Sequence, residues 1–323
     1  MFDLSGMVAD HRLDVYTTLK AGGCAELFYS ARTRNELANS AIQAQENGIT
    51  QTILGWGSNV LPSDKGVAGL VTLNQAANIR CDQSGFVEVD SGAGFQDLFL
   101  RTAQAGLGGF EFAVGIPGTV GGALVSNAGA YRNNVSAFLT EIEVVENGNR
   151  EWRSPEFMKF EYRDSVLRQL DAPQIVLLAV RFQLESRNRK EIYDDARDYQ
   201  RQRIGKQPPS ASCGSFFKNV VDQDLAQQIE GLSDGMRAAG VIPAGFLIEQ
   251  CGLKGTRFGG AMIGARHANF LLNVRGATAS DIRRLAEHAA SQVNDRFGVQ
   301  LEEEALYLGD WSQWQTTGHL SHS

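Results

Sequence analysis

Three residues of this chain have types and settings that could carry acid–base or nucleophilic chemistry: an arginine, a serine and a glutamate. Arg163 stands in Tyr162-Arg163-Asp164-Ser165. A guanidinium stays charged and can fork onto a carboxylate or hold an enolate oxygen. A surface ion pair with Asp164 is the plainer reading. Ser215 lies in Gly214-Ser215-Phe216-Phe217-Lys218-Asn219. A serine on a glycine turn beside aromatics, with Lys218 and Asn219 close by, can serve as proton donor or nucleophile in a dry pocket. Phe217 stands where a GxSxG elbow needs its second glycine, so a turn leading into a Phe-anchored strand explains the same residues. Glu304 ends the run Glu302-Glu303-Glu304. On a strand Glu302 and Glu304 face one way and Glu303 the other. An inward carboxylate is costly without a partner, so a solvated acidic edge competes with a catalytic acid. His267, in RHANFLLN, reads as a ring that satisfies a buried turn.

Two glycine segments suit an anion. In Gly55-Trp56-Gly57-Ser58-Asn59, successive amides after a strand can form a nest for phosphate. A third glycine is missing, so this is not the dinucleotide fingerprint. Gly115–Ala130 reads GIPGTVGGALVSNAGA. Pro117 sets a turn, Gly118 leads into a helix over Thr119–Ser126, and its first N–H groups would point at an anion. A close crossing of helix and strand also asks for such small residues. Two such loops together suit a pyrophosphate, and a long dinucleotide lying along the domain would use both.

The elements that must position these residues alternate in type. A helix is predicted over Arg34–Gly48, with Leu37, Ala41 and Ala44 on one face. Strands are predicted at Gln51–Leu54, Val67–Leu73, Phe86–Asp90, Glu141–Glu146 and Ile175–Leu184, with a helix near Gln96–Gln104. A polar helix near Lys190–Arg203 breaks at Gly205 and Pro208-Pro209. Ala279–Phe297 is the clearest helix, with Ser280 as N-cap and Gly298 after its end. Val299–Leu308 reads as a last strand carrying the acidic run. The pattern is α+β in two or three subdomains.

The 323 residues allow roughly two domains. Lys+Arg 30 against Asp+Glu 37 leaves a net charge of −7, which argues against a nucleic-acid binder. An anionic substrate would need a local cluster of cations. Glycine, at 35 residues, is enriched over the usual ~7%, while proline stays at 7, so the glycines do not mark a linker. Cys24, Cys81, Cys213 and Cys251 form no CxxC pair, which points to reduced thiols and to no metal site. No secretory signal or membrane-length apolar run is present, so a cytoplasmic protein is expected.

The motifs converge on a family. YTTLKAGGCAELF, LGWGSNVLPSDKGVAGLV, GIPGTVGGALVSNAGAY, YRDS, GSFFKN, AGFLIEQCGLKG, HANFLLN and LEEEALYLG, in this order, resemble the UDP-N-acetylenolpyruvoylglucosamine reductases of cell-wall synthesis from Thr17 to Gly309. The short stretch between YRDS and GSFFKN resembles the subtype without the substrate-capping insertion. Leu306, Val220 and Arg132 depart from the family's usual Arg, Pro and Gly.

The resemblance implies a PCMH-type FAD-binding fold of two subdomains plus a C-terminal α+β substrate-binding domain. The implied bounds are 1–66 and 67–204 for the subdomains (the FAD domain overall about 17–186). The substrate domain follows over 205–309, its last strand returning to the active site, and then a flexible tail over 310–323. The implied activity is that of an NADPH-dependent UDP-N-acetylmuramate dehydrogenase acting on UDP-N-acetylglucosamine enolpyruvate, with no obligate protein partner. FAD would be held non-covalently by Gly55, Gly57, Ser58 and Asn59, and by Pro117, Gly118, Thr119, Gly121, Gly122, Asn127, Ala128 and Gly129. Neither loop offers a His or Cys tether. Ser215 would donate the proton, Arg163 would stabilise the enolate, and Glu304 would be the third catalytic residue. Tyr162, Lys206, Lys218 and Asn219 would bind substrate, with Arg203 a further candidate. The alternatives are a flavin oxidase or dehydrogenase of the same fold acting on a hydroxy acid or sugar, and a non-catalytic flavin- or nucleotide-binding paralogue.

Overall fold

Helices form in this chain where apolar residues recur at helical spacing and a side chain caps the first turn. The computed structural model describes residues 4–169, 171–204, 208 and 210–314. In Arg34–Glu46, Thr33 Oγ1 accepts the Glu36 N–H at 3.2 Å, and Leu37, Ala38, Ala41 and Ala44 are buried. The helix stops before Gly48, which takes φ +65°, a left-handed value that only glycine adopts without strain.

This helix lies between two sheets. The first has the order Val8–Arg12, Cys24–Ala31, Val67–Asn74, Gln51–Leu54. Only its first pair is antiparallel, and the helix is the crossover that a parallel pair needs. The second sheet is antiparallel, ordered Asn149–Arg153, Leu139–Glu146, Val176–Gln183, Phe86–Asp90, Ile79–Cys81. Leu37 and Ala41 pack against its Val145, Val176 and Leu178. Arg34 adds a polar tie, bonding Asp90 Oδ1 at 2.6 Å and Glu88 Oε1 at 3.0 Å. A separate cluster of Phe95, Phe110, Phe112 and Phe182 fills the core of the second subdomain.

The expected break at 66/67 falls inside the first sheet. Val67–Asn74 is its central strand, paired on both sides, so that bound would divide a sheet. Local patterning cannot report such a pairing, because it joins strands that are far apart in sequence.

The third region is built on Ala279–Phe297, whose Ile282, Leu285, Ala286, Ala289 and Val293 are buried. Each fully buried Leu or Ile there contributes about 1.5–3 kcal/mol. The N-cap is Thr278 rather than Ser280, in a capping box with Asp281. The Ser280 amide instead donates to Asp64 Oδ2 at 2.8 Å, beside the Ala279 amide on Oδ1 at 2.8 Å.

Asp64 belongs to the first subdomain, and the joint continues beyond it. Leu306–Leu308 pairs in parallel with Val60–Pro62, and Leu19 and Leu61 sit in the third region's own core. The expected last strand over Val299–Leu308 is thus only three residues long. Upstream, Glu303 makes one isolated bridge to Phe217. The expected tail over 310–323 does not begin at 310. Trp311 is buried, with its ring 5.0 Å from that of Tyr307 and its indole N–H donating to Leu308 O at 3.0 Å. Residues 315–323 lie outside the described residues. No helix among the described residues is long and apolar enough to cross a membrane.

Candidate active site

The two glycine loops abut. Ser58 Oγ donates to Pro117 O at 3.2 Å. A Cβ at Gly118 would meet Ser58 Oγ, and one at Gly55 would meet the Thr119 side chain. Gly57, at φ +59°, packs so closely on the Tyr16 carbonyl that a Cβ would collide with it. These glycines permit close backbone approach, which is one of the residue's structural uses.

The loops differ in what their amides do. The helix runs over Val120–Val125, with Thr119 as N-cap. Its first N–H groups do not point at an anion, contrary to expectation. Val120 donates to Ala93 O at 2.8 Å, Gly121 to Ser91 O at 2.7 Å and Gly122 to Thr119 Oγ1 at 3.2 Å. The helix start is packed on the turn after Asp90, whose carbonyls consume the donors. Gly121 serves a close crossing, since a Cβ there would sit 3.0 Å from the Ser91 carbonyl oxygen. In the first loop, the amides of Trp56, Gly57, Ser58 and Asn59 donate to no acceptor among the described residues, which leaves them suited to an anion. A cleft of about 420 Å³ opens beside this loop, lined by Tyr16, Thr18, Trp56, Asn74, Gln75 and Gly94 among others. At the far end of the second loop, Asn127 Oδ1 is buried with no partner among the described residues. Unspent amides at one end and an unpaired buried acceptor at the other fit a long dinucleotide cofactor. Ala128 and Gly129 continue that loop, with Gly129 packed under Asn133.

Arg163 sits in a tight turn in which Glu161 and Asp164 bridge each other. Its φ of +56° is strained for an arginine, at a cost of about 1–3 kcal/mol. The strain aims the guanidinium at the end of the second loop. Its Nη1 donates to Asn127 O at 3.4 Å, and Nη2 donates to Gly129 O. Its Nε lies 3.3 Å from Glu304 Oε1. Burial pushes the Glu304 carboxyl above the ordinary carboxylate range, while Arg163, Arg168 and Lys218 pull it back.

Ser215 follows Gly214, which takes φ +83°. The segment is fixed by Asn269: Phe216 N donates to Asn269 O at 2.8 Å, Phe217 N to its Oδ1 at 2.9 Å, and its Nδ2 to Phe217 O at 2.8 Å. Glu304 N then donates to Phe216 O at 2.8 Å. This bond brings Ser215 and Glu304 to one place. Ser215 is half-buried, and its hydroxyl has no hydrogen bond among the described residues. Nothing in the motif's spacing had singled out Asn269.

Each glutamate of the acidic run has its own cation. Glu302 pairs with Lys218, Glu303 with Arg283 at 2.6 Å, and Glu304 with Arg163. The alternating orientation is present although only 306–308 is strand. Among the expected substrate contacts, Tyr162 is 55% exposed beside Arg163, free to meet a ligand. Lys218 is buried, with its ammonium already on Glu302. Asn219 Oδ1 accepts the Ala244 N–H at 3.3 Å at the start of a helix, and so holds structure. Arg203 Nη2 donates to Phe112 O at 3.4 Å, and its guanidinium lies over Tyr131. Lys206 lies outside the described residues. The His267 ring packs on Phe270 and bonds the Asn269 amide at 3.3 Å, in keeping with a satisfied turn. Asn59 is missed as a positioning group: its Nδ2 donates to Glu304 O at 2.9 Å.

Residues 25–152 match the FAD binding domain profile, and residues 206–308 match the C-terminal domain profile of UDP-N-acetylenolpyruvoylglucosamine reductase. The reductase of that name from Trichormus variabilis is 37% identical over 93% of this chain and 85% of its own. The one from Rubrobacter xylanophilus is 36% identical over 93% of this chain and 95% of its own. The crystal structure of the Thermus caldophilus reductase superposes with a TM-score of 0.72 at 32% identity, covering 94% of this chain and 98% of that one. With the FAD-binding half, the C-terminal half and the path between them all matched, the chain belongs to the UDP-N-acetylenolpyruvoylglucosamine reductase family.

Proposed function

We propose that this chain is an FAD-dependent, NADPH-consuming reductase that converts UDP-N-acetylglucosamine enolpyruvate to UDP-N-acetylmuramate for peptidoglycan synthesis. The observation that carries the reading is the meeting of Arg163, Glu304 and the Ser215 segment beside the end of the second glycine loop. FAD, when bound, would supply the hydride-transfer chemistry that links NADPH to the methylene carbon of the enolpyruvyl group. The Trp56–Asn59 amides would hold its pyrophosphate, and Asn127 Oδ1 would accept a ring N–H. Hydride addition leaves an electron pair at the carbon bearing the ether and the carboxylate. Arg163 is suited to hold the resulting enolate, since its guanidinium is kept in one direction by two backbone carbonyls. Ser215 is suited to deliver the proton to that carbon, which completes the lactyl ether. Glu304 orients Arg163 and lies one backbone hydrogen bond from the serine segment. Exposed Tyr162 lines the approach, and Lys206 and Lys218 are the cations nearest the serine in sequence.

The enzyme takes two small-molecule partners, the sugar nucleotide and NADPH, and needs no nucleic acid or obligate protein. We assign it to the cytoplasm, the compartment of NADPH and nucleotide sugars. The oxidase alternative fits less well, because the relatives are similar across the C-terminal half as well as the FAD-binding half. The direct test is anaerobic absorbance of the purified flavoprotein. NADPH should bleach the flavin band, and the enolpyruvyl sugar nucleotide should restore it. Ser215→Ala should leave the bleaching intact and slow the recovery by about 10²–10⁴-fold. Unchanged recovery removes Ser215 from the mechanism, and no recovery in the parent protein removes the substrate.

A further inference from the structure

The peptide of Glu304 is held from three directions. Its N–H donates to Phe216 O at 2.8 Å, and its carbonyl accepts from Asn59 Nδ2 at 2.9 Å and from Arg168 Nη2 at 3.1 Å. The donors and acceptor come from the serine segment, the first glycine loop and the turn that follows Arg163. Of these, Arg168 is the unusual one. Its side chain is 6% exposed, and burying a guanidinium is costly unless it is well paired. The pairing here is incomplete. Asp164 Oδ1 is 3.6 Å from Arg168 Nε and also accepts the Ser165 amide at 2.8 Å, while Asp164 Oδ2 accepts from Gln169 at 3.0 Å. Arg168 Nη1 is buried and has no acceptor among the described residues. A buried N–H of this kind carries an uncompensated desolvation cost. An apolar side chain would fill the space without that cost, so packing alone does not account for an arginine.

We propose that Arg168 is a positioning residue for the reaction: its buried guanidinium fixes the Glu304 peptide and keeps the carboxylate in register with Arg163 and Ser215. This rests on the reductase reading above. The charged groups that act on the Glu304 carboxyl are Arg163, Arg168 and Lys218, with Glu302 on Lys218, Asp164 on Arg168 and the Cys213 thiol nearby. The Arg168 charge opposes the upward push of burial on that carboxyl. Removing it therefore raises the pH at which Glu304 ionises.

The test uses the flavin-loaded full chain, Arg168→Met, Arg168→Lys and anaerobic rapid mixing across the pH range. In Arg168→Met, reduction by NADPH serves as the internal control and stays within about twofold. Reoxidation by the enolpyruvyl sugar nucleotide slows by about 10²-fold, the scale of a small misplacement at a reacting centre. The pH limb of reoxidation moves upward. Arg168→Lys restores the charge and returns that limb, with only part of the rate. If Arg168→Met does not fold, Arg168→Lys and Arg168→Gln decide, since only the lysine keeps the limb in place. Equal slowing of both half-reactions, or slow reoxidation with an unmoved limb, overturns the proposal. Failure of the parent protein to be reoxidised overturns the reductase reading instead.

Discussion

Glu303 and Glu304 are neighbours of the same type, each bonded to an arginine, yet the two sides of the segment are built differently. On the Glu303 side, Arg283 is 6% exposed and is used up by structure: Nη1 bonds Glu303 and Tyr307 Oη, both at 2.6 Å, and Nε bonds Glu287 at 3.2 Å. That side is a dry joint between the long helix and the returning chain, and burial drives the Tyr307 hydroxyl well above its ordinary range. On the Glu304 side, Arg163 and Glu304 are 22% and 21% exposed. The arginine stands on strained backbone beside an unpaired amide oxygen. A fully bonded, buried pair is costly to break, whereas a partly exposed pair on strained backbone is available to a ligand.

The sharpest break is Arg283→Met. It leaves Glu303 and the Tyr307 hydroxyl without their cation, and about 3–5 kcal/mol of unfolding free energy should be lost in denaturant titration. Reoxidation rates of the molecules still folded should hardly change. Arg163→Met should do the reverse. Reoxidation by substrate slows by about 10²–10³-fold, while the denaturation midpoint stays near the parent's. A large rate loss in the first variant, or a large stability loss in the second, would erase the contrast.

Glu304→Gln sharpens it through pH. A carboxyl raised in the folded state binds its proton more tightly there than in the unfolded chain. Stability therefore falls as pH rises from the ordinary value of 4.5 through the folded one. The glutamine variant should lack that part of the fall and should gain on the parent above the window, in melts at stepped pH. The smallest effect is expected at Lys65→Ala. This residue's pair with Asp310 at 2.9 Å is half exposed on both sides, so denaturant titration should show little or no loss of stability.

Locally encoded features were legible. Gln51–Leu54, Phe86–Asp90 and Ala279–Phe297 have the predicted bounds, because pattern and caps lie within a few residues of one another. Asn147-Gly148, with φ of +50° and +77°, carries a hairpin signal for the strand Asn149–Arg153, which the strand reading passed over. The partners of the acidic run were not legible. Lys218 is 84 residues from Glu302, and Arg168 is 136 from Glu304; no period or spacing connects them. The amides of Val120 and Gly121 looked available because the carbonyls that take them, at Ala93 and Ser91, lie in another segment.

The parallel pairing of Leu306–Leu308 with Val60–Pro62 also sets an order of events during synthesis. Asn59 and Glu304 are 245 residues apart, so at ~5–20 residues per second the ribosome needs on the order of 10–50 s to supply the second after the first. Through that interval the Val60–Pro62 edge is without its partner, and Arg163, once made, waits for its carboxylate. A nascent chain can assemble its cofactor loops well before it can assemble the catalytic group, so the capacity to turn over arises only once Glu304 has been made.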